Sequence, residues 1–290
     1  MRSSQGPLSR LMARIDFLGT GNAFMPPGRM HALALLDGCV LVDTPPTVLA
    51  QLRRCGSSPS ELRHILITHW HADHIFGFPF LLLERKFISD PDFKSTLNVH
   101  LRPGGKELLS SLCNMGFPGS LEDSLDERIL WSESETGTLE DTDWSFERFA
   151  VEHVEQTDPH GYELIHSNGF RFLHCGDSGP CEEIDKRASR CQVVLLEMGI
   201  PDFVESPHHH TPSDVVAFSQ RHPHATVLVT HNYSSARGEE IGFPMPELPE
   251  SIVQIEDGDC LLIDEKGSAS LQRNLSVSYT HLTLPTNREV

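Results

Sequence analysis

The chain has 290 residues, with 23 Lys+Arg against 41 Asp+Glu and a formal net charge of −18. At 38% hydrophobic and 22% charged residues it is neither collagenous nor wholly disordered. Its longest apolar run, Phe76–Leu83, falls far short of the roughly 20 residues a membrane span needs. A chain this acidic lacks the Lys/Arg surplus on which affinity for phosphate backbones rests, so nucleic acid is the less expected partner. The seven Cys include no C-x-x-C pair; scattered free thiols point to a reducing compartment, the cytoplasm.

The first stretch, residues 1–11, has no apolar core of a secretory signal and reads as a disordered or miscalled start, with Met12 as the alternative first residue. Arg14–Leu18 is a short apolar strand running into Gly19-Thr20-Gly21, and Phe24 stands where a dinucleotide fingerprint would need a third Gly. Ala32–Leu36 and Cys39–Val42 flank Asp37-Gly38 as a hairpin, and Asp43 ends the second strand. A helix over Thr47–Arg54 follows, then the strand His64–Thr68, a strand at Leu97–Leu101 and a helix over Gly105–Asn114. Leu121–Asp143, with nine acids against one Arg, reads as a solvated face or loop. Phe146–His153, Tyr162–His166, Gly169–His174, Val193–Glu197 and Thr226–Thr230 read as strands. The helix over Pro180–Arg190 starts with Pro and two acids. Another starts at Thr211, capped by Thr211 and Asp214. A hairpin over Asp257–Asp264 closes the pattern, which implies a layered α/β domain with a mixed sheet over residues 12–276. Val277–Val290 resembles a translated sequencing adapter, since GTC-TCT-TAT-ACA-CAT-CTG encodes Val277 to Leu282, and is read as a non-native tail.

Chemistry concentrates in His69-Trp70-His71-Ala72-Asp73-His74, directly after an apolar strand. Imidazole and carboxylate together suit Zn²⁺ or a similar first-row ion. An Asp and three His behind a buried strand would be costly to desolvate without a cation.

This H-x-H-x-D-H after a strand resembles the metallo-β-lactamase superfamily. Gly19-Thr20-Gly21, Asp43, His153, Asp177 and His231 match the rest of its pattern, in order. The resemblance implies an αββα sandwich of two mixed β-sheets flanked by helices. It implies one metal on His69, His71 and His153, a second on Asp73, His74 and His231, and Asp177 bridging. The cofactors would be two divalent metal ions, Zn²⁺ first, with Mn²⁺ or Fe²⁺ as alternatives. They would sharpen a shared water into a nucleophile, with Asp73 placed to hydrogen-bond it and Asp43 fixing a ligand histidine or its loop.

Departures within the superfamily narrow the branch. His71 stands where flavodiiron relatives carry an acid, and Asp177 where class B β-lactamases carry Cys. The Gly-Thr-Gly start, Gly161-Tyr162 after His153, and His210-Thr211 before His231 resemble the ribonuclease Z and phosphodiesterase branch rather than glyoxalase II-like thioesterases. There a His-Thr histidine lies near the leaving group, a role that falls to His210, with Glu197 orienting it and His208 and His209 facing solvent. Ser178 and Gly179 would offer amides to a phosphate. The segment from His153 to Asp177 spans only 24 positions with one Arg, too short for the basic arm of tRNA-processing ribonuclease Z. The expected function is therefore hydrolysis of a small phosphodiester, such as a cyclic nucleotide. A tRNA 3′-processing endonuclease and another ester or sulfate ester hydrolase are the alternatives, and a homodimer is admitted.

Overall fold

A computed structural model describes residues 11–274; the expectations for residues 1–10 and for Val277–Val290 lie outside them, while Leu11 already opens the first strand. That strand, β1 (Leu11–Gly19), turns Ala13, Ile15 and Phe17 inward and Arg14 and Asp16 outward, the two-residue alternation of a sheet with one face in the core. It is joined by β2 (Leu33–Leu36), β3 (Val40–Val42), β4 (His64–Leu66), β5 (Leu97–His100) and β6 (Ile129–Ser132). The second sheet contains β7 (Thr136–Thr138), β8 (Trp144–Ala150), β9 (His160–His166), β10 (Arg171–His174), β11 (Val193–Glu197), β12 (Thr226–Thr230) and β13 (Ile252–Gln254). The chain then returns as β14 (Cys260–Asp264) and β15 (Ala269–Gln272) to the edge of the first sheet beside β1.

Both sheets are mixed. The first runs β15-β14-β1-β2-β3-β4-β5-β6 and is parallel from β3 to β6; the second runs β13-β12-β11-β10-β9-β8-β7 and is parallel from β10 to β13. The inner parallel strands β3, β4 and β11 are buried on both faces, which is why Val193–Leu196 of β11 reads as an unbroken apolar run. Ile15, Phe17, Trp144, Phe146, Tyr162 and Phe172 fill the space between the sheets. Helices over Val48–Arg54, Phe78–Glu84 and Gly105–Gly116 cover the outer face of the first sheet. Helices over Glu182–Ala188 and Pro212–Arg221 cover that of the second. This is the αββα metallo-β-lactamase sandwich, and among the described residues no helix is long and apolar enough to cross a membrane. None of the seven cysteines forms a disulfide.

Two expectations are corrected. Leu121–Asp143 is not a loop: it carries the helix Glu122–Glu127 and the strands β6 and β7. The helix after Asp177 starts at Glu182 rather than Pro180, with Cys181 as its N-cap.

One part of the inter-sheet core is polar. His64 Nε2 lies 2.9 Å from the Glu140 carbonyl and so carries the proton, and its Nδ1 accepts from His100 Nε2 at 3.0 Å. A further proton on His64 would turn donor against donor, and one on His100 Nδ1 would be buried without an acceptor, beside the buried guanidinium of Arg148. Burial, then His64 and Arg148, push His100 down to about 4. The unfolded chain, with His near 6.5, then binds more protons than the folded one. Stability is present above pH ~6.5 and is lost as pH falls toward 4, on the order of 3 kcal/mol for this group. Urea melts in chelator at pH 7 and pH 5 are expected to show this fall, and His100→Phe is expected to shrink it; an unchanged fall would remove His100 as its source.

Candidate metal centre

The candidate residues meet because parallel neighbours end at one edge. Asp43 follows β3, His69 and His71 follow β4, Asp177 follows β10, Glu197 ends β11 and His231 follows β12. A short helix, Ala72–Ile75, adds Asp73 and His74, and the turn after β8 adds His153. Gly176, at φ +66°, makes the bend that delivers Asp177; a Cβ there would lie 2.7 Å from the His160 carbonyl. Asp43 and His231 also sit in the left-handed region, at φ +70° and +47°, a backbone cost accepted where side-chain direction matters.

Two donor groups result. His69, His71, His153 and Asp177 form one, and Asp73, His74, Asp177 and His231 the other. All seven residues read from the sequence are therefore brought together, and Asp177 belongs to both groups. His69 Nε2 lies 3.0 Å from His71 Nδ1, which lies 3.1 Å from His153 Nε2. Asp177 approaches His231 Nε2 at 3.1 Å and His74 Nε2 at 3.4 Å.

The surrounding hydrogen bonds fix which ring nitrogens face inward. Thr68 Oγ1 donates to Asp43 at 2.7 Å, so at 3.0 Å it accepts from His69 Nδ1. His74 Nδ1 donates to Asp43 at 2.8 Å, and His153 Nδ1 to the His208 carbonyl at 2.8 Å. With protons on Nδ1, the Nε2 lone pairs of His69, His74 and His153 converge. His74 Nε2 and both ring nitrogens of His231 are buried without a hydrogen-bond partner. Burial, with the neighbouring imidazole of His74, holds His69 well below its ordinary range and keeps it a neutral donor. Burial opposes the Asp177 charge, yet His231 and His74 hold its carboxyl well below the carboxylate range. Facing lone pairs around a buried carboxylate fit divalent cations, and the shared Asp177 fits a pair of them. Asp43 orients a histidine from each group, His74 directly and His69 through Thr68, a linkage that pattern matching did not reveal.

The structure corrects the histidine beside the cluster. His210 is buried and turned away: its Nδ1 donates to the Ser178 carbonyl at 2.6 Å, and its backbone N–H meets Glu197 at 3.3 Å. His209 lies against the cluster instead. Its ring stacks on His231 at 5.9 Å and meets His153 edge-on at 4.9 Å, while Nδ1 binds Glu197 at 2.7 Å. Burial opposes charge on His209, but the hydrogen bond and charge of Glu197, then Asp177 and Asp73, lift it to about 9. In a run of three consecutive histidines, spacing cannot say which ring faces the site; the buried Glu197 decides it. The phosphate cradle is also absent: the Ser178 amide meets Glu197 and the Gly179 amide donates to the Glu152 carbonyl.

Comparison with known proteins agrees with this geometry. Ribonuclease Z of Pyrobaculum arsenaticum is 25% identical, over 87% of this chain and 99% of its own length. The metallo-β-lactamase fold protein YhfI from Bacillus subtilis superposes with a TM-score of 0.66 at 12% identity, covering 86% of this chain and 99% of that one. A diphosphatase from the PhnP family gives 0.63 at 20% identity, covering 86% and 97%. Residues 13–241 match the family described as Anti-Pycsar protein Apyc1. With that match, the two sheets and the shared His/Asp cluster, the chain belongs to the Apyc1 family and has the fold and donor set of a metal-dependent metallo-β-lactamase-fold hydrolase.

Proposed function

We propose that the protein hydrolyses a phosphodiester bond in a small substrate, such as a cyclic nucleotide, with two Zn²⁺ ions as its cofactors. The observation that carries this reading is the pair of donor groups sharing Asp177. Bound there, the ions would lower the pKa of a water and offset the charge on the phosphoryl oxygens. His69, His71 and His153 would hold one ion and Asp73, His74 and His231 the other, with Asp177 shared between the two groups. Imidazole and carboxylate donors favour zinc among first-row ions, with Mn²⁺ as a functional substitute.

Asp73, 3.5 Å from both His74 Nε2 and His231 Nε2, would hydrogen-bond the attacking water. His209 presents its remaining ring nitrogen to the cleft while Glu197 holds Nδ1, which suits it to give a proton to the departing oxygen. A small substrate is favoured by the short stretch between His153 and Asp177 and by the net charge of −18, both adverse to gripping a folded RNA. The relatives' names include ribonuclease Z and a diphosphatase, and both kinds of enzyme act on phosphate linkages.

A substrate panel tests this. Purified protein is expected to turn over bis(p-nitrophenyl) phosphate and cyclic mononucleotides, to stop in chelator, and to recover with Zn²⁺ or Mn²⁺. Precursor tRNA and aryl sulfates are expected to remain intact. Turnover indifferent to chelator, or a preference for precursor tRNA, overturns the reading.

A further inference from the structure

Phe24 is the most exposed large apolar side chain among the described residues, at 88%. Two other exposed rings have aromatic partners: Phe203 lies 6.2 Å from Phe243, and Phe243 5.9 Å from Tyr233. A single exposed Phe needs no explanation on an ordinary surface. This one is held rigidly, and beside the metal centre.

The rigidity is visible in the backbone. Asn22 Oδ1 accepts the Phe24 N–H at 3.1 Å, and the Asn22 carbonyl accepts that of Met25 at 3.0 Å. Pro26 and Pro27 follow, with φ set by their rings. Arg29, fully buried, then donates to the Ser234 carbonyl at 2.9 Å, Thr20 Oγ1 at 2.6 Å and the Ile255 carbonyl at 3.1 Å. The turn is thus ordered before any ligand arrives, which lowers the entropic cost of a contact made by its tip.

The position follows from the same turn. The Asn22 N–H donates to the Asn232 carbonyl at 3.1 Å, one residue beyond His231. Asn22 Nδ2 donates to the Gly199 carbonyl at 3.1 Å. Gly199 in turn lies against the ring of His209, where a Cβ would come within 2.8 Å of Nδ1. The turn that carries Phe24 is therefore anchored, through Asn22, beside His231 of the second donor group and beside Gly199, which packs on His209.

We propose that Phe24 is a stacking platform for the nucleobase of the substrate and so determines specificity for base-bearing phosphodiesters. The proposal rests on the phosphodiesterase reading of the site. A planar base laid on the ring covers apolar surface that is otherwise in water, and such stacking tolerates any base because each has a π face. It needs no Lys or Arg, in keeping with an acidic chain.

The test compares wild type, Phe24→Ala and Phe24→Trp, all loaded with Zn²⁺, on two substrates. One is a cyclic mononucleotide; the other is the same cyclic ribose phosphate without its base. Phe24→Ala is expected to lower the kcat/KM ratio of nucleotide to base-free substrate roughly tenfold, mainly through KM for the nucleotide. Phe24→Trp is expected to restore that ratio. An unchanged ratio in Phe24→Ala overturns the proposal, as does a shift from oligomer to monomer in sedimentation velocity, which would give the ring to a protein contact. If wild type turns over neither substrate, the phosphodiesterase reading itself fails and takes the proposal with it.

Discussion

Asp177→Ala is expected to abolish phosphodiester turnover, lowering kcat/KM by roughly a thousandfold or more, about 4 kcal/mol of barrier. The size follows from its place in both donor groups. Loss of His71 would strip one group of a single donor, whereas loss of Asp177 strips both and removes the negative charge that offsets two adjacent cations. The side chain is buried and bounded by His69, His74 and His231, so no water-exposed group can stand in for it. A His69→Ala/Asp73→Ala double variant, which damages each group once, is expected to fall as far. Steady-state rates on bis(p-nitrophenyl) phosphate and a circular dichroism melt in chelator separate lost chemistry from lost fold. Wild-type rates in either variant would refute the assignment.

The second large effect distinguishes two adjacent histidines. His209→Ala is expected to lower kcat by about a hundred- to a thousandfold, the range for removal of a positioned general acid. Its ring is partly exposed and its strongest bond is to Glu197. His210→Ala is expected to act the other way. It empties a buried site and leaves the Ser178 carbonyl without its partner, costing about 1–3 kcal/mol of stability. Glu197→Gln is expected to resemble a weaker His209→Ala and to shift the basic limb of the kcat profile downward, because the carboxylate holds the His209 proton. A leaving group that needs no protonation, such as p-nitrophenolate, is expected to mute the His209 effect. Equal kcat losses from His209→Ala and His210→Ala, with equal melts, would contradict the split.

The His69–His74 motif was legible in the chain because it is local and follows one strand directly, whereas Asp43, His153, Asp177 and His231 joined it through the family resemblance, in order along the chain. Parallel pairing then carries the strand ends to a common edge. Features set by tertiary contacts were not legible. His209 and His210 are identical in type and adjacent, and only the direction of the Glu197 carboxylate separates them. Ser178 and Gly179 looked free to bind phosphate until Glu197 and the Glu152 carbonyl took their amides. Within Leu121–Asp143, the helix Glu122–Glu127 is six residues long and β7 three. Elements so short owe their stability to neighbours rather than to propensity. β6 is held by its parallel register on β5, Leu97 opposite Ile129, a pairing that no window of sequence contains.

Asp43 belongs between these cases. Its place after an early strand marked it as a residue of interest, but its double role required coordinates. One carboxylate accepts from the Thr68 amide at 2.8 Å, from Thr68 Oγ1 and from His74 Nδ1, and so sets the direction of a donor in each group.

Metal content per chain tests the central claim most directly. Inductively coupled plasma mass spectrometry on wild type and on Asp177→Ala, after dialysis against limiting Zn²⁺, is the measurement. The account predicts two ions per wild-type chain and loss of both affinity classes in the variant. A wild-type chain that hydrolyses phosphodiesters while holding no divalent ion, or a variant that keeps both, would contradict it.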